Sequence, residues 1–238
     1  MQLETFAKGK GAPLLFLGGA NTSFQYYEKF IDLLSKGFKV YFFNYPGIGK
    51  STTPKEHTLE VYLGAIEKVV KDNKLRNYHL AGASFGGYLA IEYVNHAKIK
   101  PKSLILFSPL TKTIGVSAIE NALRVSATQV QKWRSREDAL TGNIFSPRQL
   151  QYARNKLRHS SFILKQIFTH EHIPNDIPIL VVLGEKDMVV DSEFTKKVFE
   201  NKENAKIVTV SQKGHEAFAI IGDRVVQLIN DFLTANSQ

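Results

Sequence analysis

The strongest chemical signal in the chain is the stretch Gly82-Ala83-Ser84-Phe85-Gly86-Gly87. A short apolar run, Tyr78-His79-Leu80-Ala81, precedes it, and a run of helical character, Tyr88-Leu89-Ala90-Ile91-Glu92-Tyr93-Val94, follows. A serine between two glycines at a strand-to-helix corner is the pattern of a nucleophile elbow. Crowding explains the glycines. The turn that lifts the serine oxygen clear of a sheet is strained, and a β-carbon two residues to either side would collide with it. The helix that follows directs its first amides, and its partial positive charge, toward the bond being broken.

A serine nucleophile needs a base, and the base needs a carboxylate to orient it. Both are expected just past the ends of strands. Gly184-Glu185-Lys186-Asp187 follows an apolar strand pattern directly, and Gly214-His215 follows another after a short loop. Two other carboxylates lie close in sequence. Asp176 comes before the first of those strands, and Asp191 reads better as the N-cap of the next helix. Among the other histidines, His57, His79, His96 and His159 are isolated, and His170-Glu171-His172 lacks a third partner for a metal. Gly47-Ile48-Gly49-Lys50-Ser51 lacks the four-residue spacing between glycines that a phosphate-binding loop requires. Neither a metal nor a cofactor is therefore expected.

These residues need a scaffold, and the hydrophobic pattern supplies one. Residues 2–10 read as edge-strand material ending in the turn Gly9-Lys10-Gly11, and 13–17 as a strand buried on both faces. A helix is expected over Phe24–Leu34, closed by Lys36-Gly37, then an aromatic-rich strand over Phe38–Phe43. Thr58 can cap a helix with Val61, Tyr62, Ala65, Val69 and Val70 on its apolar face. After the elbow, strands are expected at 103–107, 178–183 and 206–210, with helices at 194–199 and 225–233. Alternating strands and helices imply right-handed crossovers and a mostly parallel sheet flanked by helices. The rhythm breaks between residues 110 and 172, where only helical patterns occur. That segment is expected to be an inserted helical cap over the carboxyl ends of the strands. Trp133, Phe145, Phe162 and Phe168 are expected mainly in its core.

Composition sets outer bounds. With 238 residues, 43% hydrophobic and 22% charged, the chain has the make-up of one large α/β domain spanning 1–238. No apolar run approaches the ~20 residues of a membrane span, so no stable membrane insertion is expected. The opening residues lack the basic head and apolar stretch of a secretion signal, and there is no cysteine to form a disulfide. A cytoplasmic location is the plain expectation. The net charge of +9 is scattered singly, with no run of five basic residues, which argues against nucleic acid as a partner. Residues 111–172 hold ten Lys and Arg against four Asp and Glu. This excess belongs either to a solvated helical surface or to a face that meets anionic substrates. Oligomeric state is not written in any of these features.

Taken together, Leu17-Gly18-Gly19, the loop from Asn44 to Ser51, the elbow, Gly184-Glu185-Lys186-Asp187 and Gly214-His215 resemble the α/β-hydrolase superfamily over about residues 2–235. The order Ser84, Asp187, His215 matches that family's order. The resemblance implies Ser84 as acyl-accepting nucleophile, His215 as general base and then acid, and Asp187 as the residue holding the imidazole. It implies an oxyanion hole made by the backbone N–H groups of Phe85 and Ala20. The implied activity is hydrolysis of a small carboxylic ester, thioester or lactone. Carbon–carbon cleavage, aminopeptidase action or a non-catalytic ligand receptor are alternatives on the same residues. Two positions depart from the family pattern. Gly18-Gly19 stands where His-Gly is usual, so the oxyanion loop is expected to have less to hold it. Asn44 replaces the usual aspartate and is expected to make similar turn hydrogen bonds without the charge.

Overall fold

The computed structural model describes residues 1–111, 158, 161–163, 173–211, 213–215, 222 and 224–236. Its centre is a seven-stranded sheet. The strands are β1 (Thr5–Lys8), β2 (Ala12–Leu17), β3 (Phe38–Phe43), β4 (His79–Ala83), β5 (Leu104–Phe107), β6 (Ile179–Gly184) and β7 (Ala205–Val210). The spatial order is β1-β3-β2-β4-β5-β6-β7. Only β1 runs antiparallel to its neighbour, pairing Thr5 with Phe43 and Lys8 with Val40.

Period-two side-chain direction explains why β2 and β6 read as continuous apolar runs. In β2, Leu15 and Leu17 enter one core cluster while Leu14 and Phe16 enter the other. On the Leu15 side lie α2 (Leu59–Asp72) and α3 (Phe85–His96), contributing Tyr62, Ile66 and Leu89. The short α4 (Ser192–Phe199) adds Val198 and Phe199 there. On the Leu14 side lie α1 (Phe24–Leu34) and α5 (Arg224–Ala235), contributing Phe30, Ile31, Ile229 and Phe232. Burying both faces of the central strands is what fixes their register.

Local detail follows the sequence closely, with small corrections. Thr58 caps α2 by accepting from the Val61 amide, but Ile66 rather than Val61 completes the buried face. The helix α1 ends at Leu34 as expected, with Ser35 as its C-cap residue. Gly37 is not a left-handed closing residue. It is a close approach, where a β-carbon would stand 2.7 Å from Val226 Cγ1 on α5. Most of the segment expected as a cap, with Trp133, Phe145, Phe168, His159 and His170-Glu171-His172, lies outside the described residues. At its root, the Thr111 and Thr195 hydroxyls meet at 2.5 Å. No helix among the described residues is long and apolar enough to cross a membrane.

The strand order reverses between β2 and β4. The chain leaves β2 in one direction to form β3, then crosses back to form β4 on the other side of β2. Crevices in open parallel sheets form at such reversals, outside the carboxyl ends of the strands. Gly18-Gly19 leaves β2 there, and Ser84 leaves β4 beside it.

Candidate active site

Ser84 has φ 54 and ψ −118, a conformation unusual for a residue with a side chain. Holding it costs about 1–3 kcal/mol, which the surroundings must supply. They do so through the backbone. The Ser84 amide donates to Phe107 O at 2.9 Å, while its carbonyl accepts from the amides of Gly87, Tyr88 and Leu110. The serine is thus clamped by β5, by its own helix and by the loop after β5.

The flanking glycines are required by contact, and their neighbours can be named. A β-carbon on Gly82 would lie 2.3 Å from the carbonyl oxygen of Gly86, across the elbow itself. One on Gly86 would lie 2.3 Å from Leu17 O and 2.4 Å from Gly18 O. The first reason is internal to the motif. The second comes from β2, so the elbow and the loop after β2 are packed backbone to backbone.

Asp187 and His215 meet. The imidazole Nδ1 lies 2.9 Å from Asp187 Oδ2 and 3.2 Å from Oδ1. The aspartate side chain is fully enclosed, whereas the histidine side chain is 23% exposed. Asp187 Oδ1 also accepts from the amides of Val189 and Val190, at 2.8 and 2.9 Å. Burial pushes the Asp187 carboxyl upward, but the hydrogen bond and charge of His215 and the two amides outweigh it and hold it below its ordinary value. A carboxylate so held favours the imidazole tautomer with its hydrogen on Nδ1, which leaves the Nε2 lone pair available.

The turn carrying Asp187 and the loop carrying His215 are joined through their main chains. Lys186 N donates to Lys213 O at 2.7 Å, and Glu185 N to Val210 O at 3.1 Å. Gly184 faces the same loop, where a β-carbon would stand 2.2 Å from Gly214 O. The competing carboxylates are otherwise engaged. Asp191 caps α4 through the Phe194 amide at 2.9 Å, and Asp176 pairs with Lys100 at the opposite end of the sheet. His79 contacts Ser103, His96 contacts Glu92 O, and His57 contacts the Tyr62 hydroxyl. Among the described residues, no three His, Asp or Glu side chains cluster as a metal site.

Phe85 is the first residue of α3, directly after the elbow serine. Its ring packs into an aromatic floor with Tyr45, Tyr62 and Tyr88. Phe162, one of the residues expected in the cap, stacks on Tyr62 at 5.2 Å and meets Phe85 edge-on.

The loop after β2 departs from the sequence expectation. Gly18-Gly19 is not weakly held. Tyr45 Oη donates to Gly18 O at 2.8 Å, Gly19 N donates to Tyr27 Oη at 2.8 Å, and Thr22 Oγ1 donates to Gly19 O at 2.7 Å. The Tyr27 side chain occupies the space that side chains at 18 and 19 would need, since a β-carbon at 18 would lie 2.8 Å from its ring and one at 19 would lie 2.9 Å from its hydroxyl. Tyr27 shares the buried face of α1 with Phe30, Ile31 and Leu34, where helical spacing registers the ring and is blind to the hydroxyl. Asn44 is structural, but its side chain reaches beyond its own turn. It accepts from Phe24 N and donates to Glu4 Oε2, each at 2.8 Å.

With this geometry in view, comparison with known proteins is decisive for the family. The sequence profile of the alpha/beta hydrolase fold matches residues 12–159. The chain belongs to the α/β-hydrolase family. Residues 163–237 match a second profile, described as TAP-like protein. The AB hydrolase superfamily protein YisY of Bacillus subtilis is 25% identical over 251 residues, covering 94% of this chain and 92% of the relative. A proline iminopeptidase of Lactobacillus helveticus is 31% identical over 143 residues, covering 57% of this chain and 48% of the peptidase. The match therefore spans about half the length of that peptidase.

Among solved structures, the meta-cleavage product hydrolase CumD of Pseudomonas fluorescens superposes with a TM-score of 0.76 at 18% identity, covering 99% of this chain and 95% of that one. An esterase of Exiguobacterium antarcticum superposes at 0.73 with 20% identity, covering 98% and 95%. At these identities the likeness is one of fold.

Proposed function

We propose that this α/β-hydrolase is a serine hydrolase that cleaves a small carboxylic ester, thioester or lactone through an acyl-enzyme on Ser84. The observation that carries the reading is the Asp187–His215 hydrogen bond at the carboxyl end of the sheet, the end at which Ser84 leaves β4 in its strained turn. In the first half-reaction His215 takes the Ser84 proton while Oγ bonds to the substrate carbonyl carbon. The carbonyl electron pair moves to oxygen, where the amides of Phe85 and Ala20 receive it. Collapse of that adduct expels the alcohol or thiol, which takes the proton from His215. Water then enters by the same route and releases the acid. The basic excess of residues 111–172 in the sequence favours anionic acyl substrates.

Ser84→Ala should reduce turnover of p-nitrophenyl acetate and butyrate by about 10⁴–10⁶-fold, if the triad works as a unit. A fluorophosphonate probe should label Ser84 in the native protein and leave the variant unlabelled. Unchanged turnover in the variant would remove the mechanism, and a native Ser84 inert to the probe would favour a ligand receptor. A second reading, removal of an amino-terminal residue from a peptide, draws on the similarity to proline iminopeptidase. It uses the same three side chains. Release of p-nitroaniline from prolyl p-nitroanilide, faster than ester hydrolysis at equal concentration, would put the second reading first.

A further inference from the structure

The loop after β2 lacks the histidine usual in the family, yet side-chain hydroxyls hold both peptide groups that flank Gly19. The Gly19 amide donates to the Tyr27 hydroxyl, and the Thr22 hydroxyl donates to the Gly19 carbonyl. Both sides of Gly19 are therefore held, its amide by the Tyr27 hydroxyl and its carbonyl by the Thr22 hydroxyl. Asn21, buried and at φ 54, turns the chain so that Thr22 comes back to Gly19.

The Thr22 bond bears on Ala20. The Gly19 carbonyl and the Ala20 N–H belong to one planar trans peptide, in which the two bonds point in opposite directions. Fixing the oxygen on Thr22 therefore fixes the direction of the Ala20 amide, away from Thr22. The same peptide borders the nucleophile, since a β-carbon on Gly19 would lie 3.5 Å from Ser84 Cβ. Burial pushes the Tyr27 hydroxyl up to about 12, so it stays protonated while it accepts from Gly19 N.

We propose that Thr22 and Tyr27 are positioning residues that aim the Ala20 amide at the oxygen of the tetrahedral adduct, in place of the missing histidine. The proposal rests on the acyl-enzyme reading of Ser84. It assigns to two hydroxyls, neither of which touches substrate, a role that ground-state binding does not require.

The test compares Thr22→Val, which keeps volume and removes the hydroxyl, with Thr22→Ser, which keeps the hydroxyl, and with Tyr27→Phe. For each, kcat and KM for p-nitrophenyl acetate are measured beside the affinity for an alkyl boronic acid, whose serine adduct is tetrahedral and anionic. Thr22→Val and Tyr27→Phe should lower kcat about 10- to 100-fold, a fraction of the loss from deleting an oxyanion donor outright. KM should stay within about twofold, boronate binding should weaken in step with kcat, and Thr22→Ser should restore both. Native kcat and boronate affinity in Thr22→Val, with only the melting temperature lowered, would overturn the proposal. So would a Thr22→Ser protein as slow as Thr22→Val. If Tyr27→Phe does not fold, the two Thr22 variants decide the matter alone. Absence of turnover and of Ser84 labelling in the native protein would instead remove the acyl-enzyme reading, and this proposal with it.

Discussion

At the scale of single residues, Asp187 shows how a carboxylate can be enclosed and remain ionised. Its side chain has no exposure, and burial alone would favour the neutral acid. One imidazole and two amides reverse that preference. The folded protein therefore binds the Asp187 proton less tightly than the unfolded chain does. The stability this contributes is fully present above the ordinary aspartate value of 3.8, and it is lost as pH falls from there through the lower folded value. Urea midpoints measured between about pH 5 and pH 2 should fall in the native protein. They should fall less steeply in Asp187→Asn. The same variant should lose about 10⁴-fold in kcat, because an amide selects the wrong imidazole tautomer.

At the scale of elements, the carboxyl ends of β2, β4, β6 and β7 act as a set of mutually packed corners. Glycine is the residue that lets them approach. Gly86 admits the carbonyls of Leu17 and Gly18, and Gly184 admits those of Lys213 and Gly214. The second contact sets the distance between the Asp187 turn and the His215 loop. Gly184→Ala should push that loop outward and lower kcat/KM by about 10²-fold, the scale of a misplacement near 1 Å. The accompanying stability loss should be about 1–3 kcal/mol, as for other overpacked sites. Esterase assays with a denaturation curve check both, and native turnover in the variant would show that this corner does not place His215. The four carbonyls were invisible in the linear pattern, because neither glycine reveals which distant segment packs against it.

At the scale of the whole molecule, the strand order brings the loop after β2 beside the elbow after β4, although 65 residues separate Gly19 from Ser84 in the chain. The net charge of +9 acts over this same scale. Fields from scattered charges steer anionic ligands and are screened within about 10 Å at 0.1 M salt. Raising salt from about 20 to 300 mM should therefore lower kcat/KM for an anionic acyl substrate such as an acyl-CoA, while a neutral ester should be unaffected. Equal responses of the two substrates would assign the charge to solvation alone.

Period and punctuation in the sequence were enough to determine the alternation of strands and helices, the elbow at Ser84 and the candidates Asp187 and His215. Those features are local, since side-chain direction repeats every two or 3.6 residues and turns demand particular residue types. The rest was a matter of distance through space. Which aspartate met the histidine depended on the turn after β6 folding back against the loop after β7. That Gly18-Gly19 was firmly held depended on hydroxyls from Tyr27, Thr22 and Tyr45 converging on it. A hydrogen bond forms between atoms about 3 Å apart whatever their separation along the chain, so only the tertiary structure could decide which polar groups face one another.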